Sequence, residues 1–415
     1  MEEPLFSVSV ICKNEETSLH NMIESLAEFI GCGGEVVVVD TGSTDRSIEI
    51  LKEYGFAKDT VDGHPRLRYQ TVSDKFDFVI DEDMAYEIRK RYLAVDDKDF
   101  IIVGKTTFDF GAARRYAGSL CANDWILSLD CDEIISKLSI SFLNKIIRTN
   151  DTQQLSFPFV YRNTDGSAAS YTMRDKFYNR NYGDWKWIVH EQVKPLPNKT
   201  VRIVQVTEHT LSIDHYQHPA EHRSNYLVNM CIDVMKDPND QHVFWLGREM
   251  YTSGHYNSSI KLLKEYLIDY DKTAYSGEKC MACVIIGNCY MNLSNTLKPP
   301  MNDDALLWFI KAGNCDSTFR EPWVRLAELC YQERECSQVI RWLTIALKIK
   351  DNPKTYLNSG FCYGVQPYKM MYTSYLSVGN VKKAVKYLNE ALKLEPTNVE
   401  FQTHAKTLVA QHDLS

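Results

Sequence analysis

The sequence predicts an α/β domain of the doubly wound, mixed open-sheet type, followed by an all-α helical-repeat domain. Three observations carry this. Strand-length apolar runs alternate with amphipathic helical stretches in the first half; the alternation stops near residue 235; and beyond it small and aromatic residues recur at the spacing of helical hairpins. A chain of 415 residues exceeds one ordinary core. The expected domains are 1–230, with an insertion at about 56–107, and 231–415.

The elements follow in order. Phe6-Ser-Val-Ser-Val-Ile-Cys12 reads as a strand and Glu16 to Phe29 as an amphipathic helix. Gly34-Glu-Val-Val-Val-Val-Asp40 is almost wholly apolar, as in a parallel strand covered on both faces. Thr41-Gly-Ser-Thr-Asp45 then turns into a helix from Arg46 to Tyr54, with Asp45 as its N-cap. Ligands of such sheets bind where the strands end, which places Lys13, Asn14, Asp40 and Asp130 together. Between Gly55 and Phe108 the pattern is irregular and charged, with one helix from Asp83 to Tyr92. A polar excursion of that size is a surface lobe or a lid, and the sequence does not choose.

In the second half, Tyr368, Met371, Tyr372, Tyr375, Ala384, Leu388, Ala391 and Pro396 fall on tetratricopeptide positions. Trp323, Leu326, Ala327, Cys330, Val339, Leu343 and Ala346 repeat the spacing, with Asp351 in place of the proline. Weaker copies fall at Val243 to Tyr266 and around Ala305, Phe309 and Ala312. Stacked hairpins bury a continuous core and leave a binding face.

Composition narrows the function classes. Apolar and charged fractions of 44% and 25% suit a folded globular chain. A net charge of −8 argues against nucleic acid as the main partner. The acidic start, Met-Glu-Glu-Pro-Leu-Phe, is unlike a signal peptide, and no apolar run reaches the roughly 18–20 residues of a spanning helix. Twelve scattered cysteines read as reduced thiols, so a cytoplasmic location is expected. Cys280-Met-Ala-Cys283 has CxxC spacing but no partner pair of zinc-finger type.

The run Trp125-Ile-Leu-Ser-Leu-Asp-Cys-Asp-Glu133 ends an apolar strand on two carboxylates. In an extended segment Asp130 and Asp132 would point the same way. With Ser9-Val-Ile-Cys-Lys-Asn-Glu-Glu16, Val36-Val-Val-Val-Asp-Thr-Gly-Ser-Thr-Asp45 and Phe110-Gly-Ala-Ala-Arg-Arg-Tyr-Ala117, this D-x-D segment resembles the family-2 glycosyltransferases of GT-A fold. The resemblance covers about residues 5–55 and 108–220. It departs at Arg115, where the family usually has Asn, and in the long 55–108 segment.

The resemblance implies a metal-dependent glycosyltransferase using a nucleotide-activated sugar, here a UDP-sugar, with Mn²⁺ or Mg²⁺ as cofactor. It implies nucleotide-sugar binding by Lys13, Asn14, Glu15, Asp40, Arg114 and Asp130, with Asp132 on the metal. Hard divalent ions suit this, because they keep positions open for phosphate oxygens and water. Related enzymes with helical repeats carry a W…V-H-E and a later I-x-H segment, matching Gly183-Asp-Trp-Lys-Trp-Ile-Val-His-Glu-Gln192 and Leu211-Ser-Ile-Asp-His-Tyr216. That makes Glu191 the candidate general base, with His190 as the alternative, and His215 a further metal ligand. The plain readings are a structural ion pair for Glu191 and a core histidine for His215. Trp185, beside a glycine in an aromatic-rich stretch, is the candidate floor of the sugar pocket.

The two-part build is similar to that of the sublancin-type peptide S-glycosyltransferases. A protein, peptide or glycan acceptor follows as an expectation, and the helical domain is a candidate surface for the acceptor or for homodimerisation. If Glu191 is the base, the reaction is a single displacement with inversion. A catalytically inactive adaptor that docks peptides on its repeats is the alternative from another class. A nucleotidyltransferase ranks last, since Ser9 to Glu16 contains no glycine.

Overall fold

The computed structural model describes residues 2–58, 65–149, 151–163, 166–216, 226–294, 302–349 and 359–412. Two compact units form: residues 1–85 with 102–233, and residues 86–101 with 234–415. Asp351 lies outside the described residues.

The first unit runs β1 (Phe6–Cys12), α1 (Leu19–Ser25), α2 (Ala27–Gly31), β2 (Glu35–Asp40), α3 (Ser47–Glu53), β3 (Ala57–Lys58), β4 (Leu67–Thr71) and β5 (Asp77–Val79). Helix α4 (Glu82–Tyr92), which passes into the second unit at Tyr86, follows in the chain, then β6 (Thr106–Phe108), α5 (Phe110–Leu120), β7 (Trp125–Asp130), β8 (Glu133–Leu138) and α6 (Ile140–Thr149). The unit closes with β9 (Gln154–Arg162), β10 (Ala168–Asn179), β11 (Gly183–Lys186), β12 (Gln192–Pro195), β13 (Ile203–Gln205), β14 (Leu211–Tyr216) and the start of α7 (Tyr226–Lys236).

Ten strands make one mixed sheet in the order β3-β4-β2-β1-β7-β10-β9-β14-β8, with β13 also on β9. The strands β1, β2, β4 and β7 are parallel, and β10 joins β7 antiparallel. All six residues of β2 are buried, which is why its valines run without alternation. Phe6, Val8 and Val10 of β1 pack with Leu127 and Leu129 of β7 and with Phe157 and Phe177. Register sets the site: Cys12 pairs with Asp40 and Ile11 with Asp130, so the three central strands end level. The chain visits β2 and β4 on one side of β1 and β7 on the other, so these ends border a topological switch point.

Two expectations change here. The helix expected over Glu16 to Phe29 is two short ones. Glu16 and Thr17 stay outside it, and at the Ser25–Leu26 break Leu26 N–H donates to the Ile23 carbonyl three residues back. The Ser25 hydroxyl, bonded to Met22 O, also accepts from Ile135 N at 3.1 Å, so a tertiary contact sits at the break. The carboxylate-bearing segment is also not one extended strand. Strand β7 stops at Asp130, Cys131 and Asp132 turn, and among the described residues β8 pairs only with β14, at the far side of the sheet.

Residues 86–101 of the excursion belong to the helical unit. There α8 (Asp240–Thr252) and α9 (Tyr256–Asp269), α10 (Ser276–Ser294) and α11 (Asn302–Cys315), and α12 (Glu321–Gln332) and α13 (Cys336–Ala346) pair as hairpins. After the short α14 (Gly360–Tyr363), α15 (Gln366–Ser377) pairs with α16 (Val381–Leu394), and α17 (Val399–His412) packs on α16. Ala305, Ala312, Ala327, Ala346, Ala384 and Ala391 are all fully buried. Close helix approach requires glycine at Gly247, where a Cβ would collide with Leu263, and at Gly287, where it would collide with Phe309. Asp97 of the excursion accepts from Asn257 N at 3.3 Å and Ser258 N at 2.6 Å, capping α9, whose own N-cap residue His255 makes no side-chain cap. Among the described residues, no helix is long and apolar enough to cross a membrane.

Candidate active site

The loops after β1 and β2 are laced together. Asn14 adopts a left-handed conformation (φ 57°), and its Oδ1 accepts from Thr44 N at 2.7 Å while its own N–H donates to Ser43 Oγ at 2.9 Å. Glu15 N donates to Ser47 Oγ at 2.8 Å, and Glu16 N to Asp45 Oδ2 at 3.0 Å. Asp45 also accepts from Ser47 N at 3.0 Å, but the N-cap of α3 is Arg46, one residue later than the expected Asp45, and Arg46 makes no side-chain cap. Burial alone would raise the Asp45 pKa, but the donors from Ser47 and Glu16 hold it below the usual carboxylate range. Asn14 and Glu15 therefore shape this rim, and Lys13 stands exposed upon it.

Asp40, at the end of β2, is 0% exposed. Its Oδ1 accepts from Ser43 N at 3.0 Å, whereas Oδ2 is buried without a hydrogen-bond partner among the described residues. A buried carboxylate oxygen is costly to leave unmatched. The strand tip thus holds an acceptor with unused capacity.

Asp130 does not stand alone. Arg114 Nη1 lies 2.6 Å from Asp130 Oδ1, and Lys176 Nζ lies 3.5 Å from Asp130 Oδ2. Arg114 Nε also donates to Glu191 Oε1 at 2.9 Å, and Lys176 is in close contact with both oxygens of Glu133. The result is an alternating chain of charge: Glu133, Lys176, Asp130, Arg114, Glu191. Burial works to raise the Asp130 pKa, but Arg114 and Lys176 outweigh it and hold the carboxyl well below its usual range. For Glu133, burial is the larger influence and pushes the carboxyl up, against the pull of Lys176. Arg114 itself is buried and more firmly protonated than usual, since Asp130 and Glu191 overcome the cost of burial. The Arg114 guanidinium, expected to bind the nucleotide-sugar, is shared between two carboxylates.

Asp132 diverges from Asp130 because of the turn. Its Oδ1 lies 3.5 Å from Nδ1 of His215, delivered by β14. His215 packs beside Phe159 and Tyr161, with ring centroids 5.7 and 5.2 Å away. Burial would lower its pKa, but Asp132 and its acidic neighbours reverse the shift and raise it. The two residues expected on a metal are thus side by side. Among the described residues no group of three or more His, Cys, Asp or Glu side chains is arranged for a metal. A two-ligand set fits a divalent ion that fills its remaining positions with diphosphate oxygens and water.

Trp185 is placed differently from expectation. It is 4% exposed, within a core of Val37, Cys121, Ile126, Tyr178 and Val193, and the Arg114 guanidinium lies 5.1 Å from its ring centre. Its ring is occupied by core and cation, with no open face to floor a sugar pocket. Arg115, at the position where an asparagine is usual, donates from Nη1 to Trp185 O at 2.8 Å and so ties α5 to β11.

Glu191 follows a strained loop: Trp187 (φ 75°) and His190 (φ 51°) are both left-handed, and the His190 ring lies 5.3 Å from that of Tyr226. Sequence reasoning missed Lys176 and gave Glu133 no role. Lys176 follows Asp175 on a strand and reads as a solvated charge. A register irregularity between Arg174 and Phe177 turns it inward, and no pattern in the sequence announces that bulge.

Comparisons with known proteins bear on the two units separately. Residues 7–69 match the family model for glycosyl transferase family 2. This span includes β1, β2 and the loops carrying Lys13, Asn14, Glu15 and Asp40. No curated protein matches the sequence. Among solved structures, a thermophilic tetratricopeptide protein of Thermus thermophilus, TTC0263, is 14% identical and covers 44% of this chain and 89% of its own, with a TM-score of 0.33. PilF of Pseudomonas aeruginosa is 14% identical, covering 43% and 72%, at a TM-score of 0.34. MamA of Desulfovibrio magneticus RS-1 is 12% identical, covering 42% and 85%, at 0.32. Likenesses this distant carry no argument, and the repeat character of the second unit rests on its own hairpins. Residues 7–69 are thus similar to glycosyl transferase family 2, and the second unit is a helical domain of tetratricopeptide-like hairpins.

Proposed function

We propose that this chain is a metal-dependent glycosyltransferase that moves a sugar from a UDP-sugar to a protein, peptide or glycan acceptor. The observation that carries the reading is the meeting of Asp132, in the β7–β8 turn, with His215 of β14, remote in sequence, beside the linked Asp130–Arg114–Glu191 set. In this reading Asp132 and His215 hold Mn²⁺ or Mg²⁺, which when bound stabilises the charge on the departing nucleotide diphosphate. Asp40 offers its unmatched oxygen to a nucleobase or ribose donor, and Asp130, fixed by Arg114 and Lys176, presents its carboxylate to the ribose. Lys13 reaches from the rim toward the phosphates, and Asn14 and Glu15 hold that rim in place.

Glu191 is the base for the acceptor. Arg114 occupies Oε1 and leaves Oε2 for the acceptor proton, giving a single displacement with inversion at the sugar carbon. The helical unit serves the acceptor or a second copy of the chain. Twelve cysteines free of disulfides suit the cytoplasm.

Incubation with a panel of UDP- and GDP-sugars and Mn²⁺, read as release of free nucleotide, tests the proposal. Release with a UDP-sugar and Mn²⁺, lost with a chelator, is the expected result. No release with any donor would favour an adaptor that docks peptides on its repeats.

A further inference from the structure

Two buried polar side chains on α7 have no part in the site described above, yet both reach it. Asn229 and Asp233 are four residues apart and so share one face of the helix. They are 3% and 5% exposed. Asp233 accepts from Ile188 N through both carboxylate oxygens at 2.8 Å, and from Val189 N through Oδ2 at 3.0 Å. Asn229 Oδ1 accepts from Thr107 Oγ1 at 2.8 Å, and its Nδ2 donates to Phe108 O at 3.4 Å.

These partners border the two residues that matter most. Ile188 and Val189 are the pair between the left-handed Trp187 and His190, and Glu191 comes next. L-residues enter that conformation only when the surroundings enforce it. Thr107 and Phe108 lead directly into α5, which carries Arg114 one turn in. The two segments also meet each other: Phe110 N donates to Ile188 O at 3.2 Å, and a Cβ at Gly111 would collide with the Trp187 carbonyl. A helix face therefore grips both strands of backbone whose side chains make the Arg114–Glu191 pair.

We propose that Asp233 is a positioning residue for the transfer reaction: its carboxylate, with Asn229 aligning α5, holds the 187–190 loop so that Glu191 faces Arg114 and the acceptor. A carboxylate is suited to this, since one acceptor-only side chain satisfies two consecutive amide donors. The inference rests on the glycosyl-transfer reading for its consequence, though not for its geometry.

The test is made on the full-length chain with Asp233→Ala, Asp233→Asn and Asn229→Ala. Hydrogen exchange needs no assumption about activity. Loss of a buried, charge-assisted bond should speed exchange of the Ile188 and Val189 amides about tenfold or more in Asp233→Ala. The amides of β1, β2 and β7 should be unchanged. Asp233→Asn, which keeps one acceptor oxygen, should fall between. With an active donor, transfer by Asp233→Ala should drop about 10²-fold in kcat, while the affinity for UDP with Mn²⁺ changes less than about twofold. Exchange that stays at the wild-type rate, or that rises throughout the domain, would overturn the proposal, as would donor affinity and kcat falling together. If Asp233→Ala does not fold, the same exchange readout on Asp233→Asn decides. If the wild type shows no transfer at all while the local exchange effect is present, the glycosyl-transfer reading fails and the clamp stands.

Discussion

Arg114 Nε lies 2.9 Å from Glu191 Oε1 while Nη1 of the same guanidinium lies 2.6 Å from Asp130 Oδ1. One buried cation thus joins the residue at the tip of β7 to the residue beyond the 187–190 loop. The fork geometry of arginine makes both contacts at once, which a lysine could not reproduce. The pair also matters for chemistry. A carboxylate facing a fixed guanidinium is held in one orientation.

Glu191→Gln keeps the size of the side chain and can still accept from Arg114, but it cannot take a proton. Transfer should fall by about 10²-fold or more, with UDP binding retained. Titration calorimetry with UDP and Mn²⁺, alongside a transfer assay, checks both halves. Loss of nucleotide binding instead would assign the residue to structure alone.

Asp132 and Asp130 should respond differently to substitution. Asp132→Ala should abolish metal-dependent turnover without a loss of thermal stability, because among the described residues its ion pairing is with His215 alone. Metal affinity in the wild type should weaken as pH falls, because His215, with its raised pKa, must lose its proton to bind a cation. Near-normal activity of Asp132→Ala would remove it from the metal site.

Asp130→Asn leaves Arg114 and Lys176 without their shared partner. Since 32% of the Asp130 side chain is exposed, the loss at neutral pH should be about 1–3 kcal/mol, below the range for a fully buried pair. The sign with pH follows from the depressed pKa. The contribution is present above the ordinary carboxylate range, near pH 4, and is lost as pH falls below it. Urea unfolding of both proteins at pH 7 and about pH 3 should show the difference narrowing under acid.

Cys315, at the end of α11, is half-buried, and its thiol is brought down to about 7. A hydrogen bond with Cys283 is the main cause, aided by Lys279 and Lys311 and opposed by burial. Brief alkylation with iodoacetamide should modify Cys315 ahead of the buried Cys280 and Cys283, whose thiols are pushed up. Its rate should rise through a midpoint near pH 7. Peptide mapping of the modified chain, with Cys315→Ser as control, provides the measurement.

Asp97→Ala removes the cap of α9 while leaving the first unit untouched in sequence. A lost cap costs about 0.5–2 kcal/mol, so the unfolding transition of the helical unit should move down by a few degrees, about what that energy implies. No change in melting by circular dichroism would mean that the α9 amides find other acceptors.

Local pattern carried much of this architecture. The valine run of β2, the apolar run of β7 and the small residues of the repeats each state their own burial, because strand and helix periodicities show in the chain itself. The ends of the strands were legible for the same reason: Asp40 and Asp130 terminate apolar runs, and a parallel sheet brings such ends together. What tertiary structure alone decided is which charges meet. Lys176 enters the site through a bulge, Asp132 and His215 are joined by strands β7, β8 and β14, and Trp185 is taken by the core. Asp97 caps a helix far along the chain, and Asp233 does the same office for a strained loop. Contacts of this kind depend on register, bulges and distant pairing, and a side chain's neighbours there are set by the fold of the backbone rather than by the residues beside it.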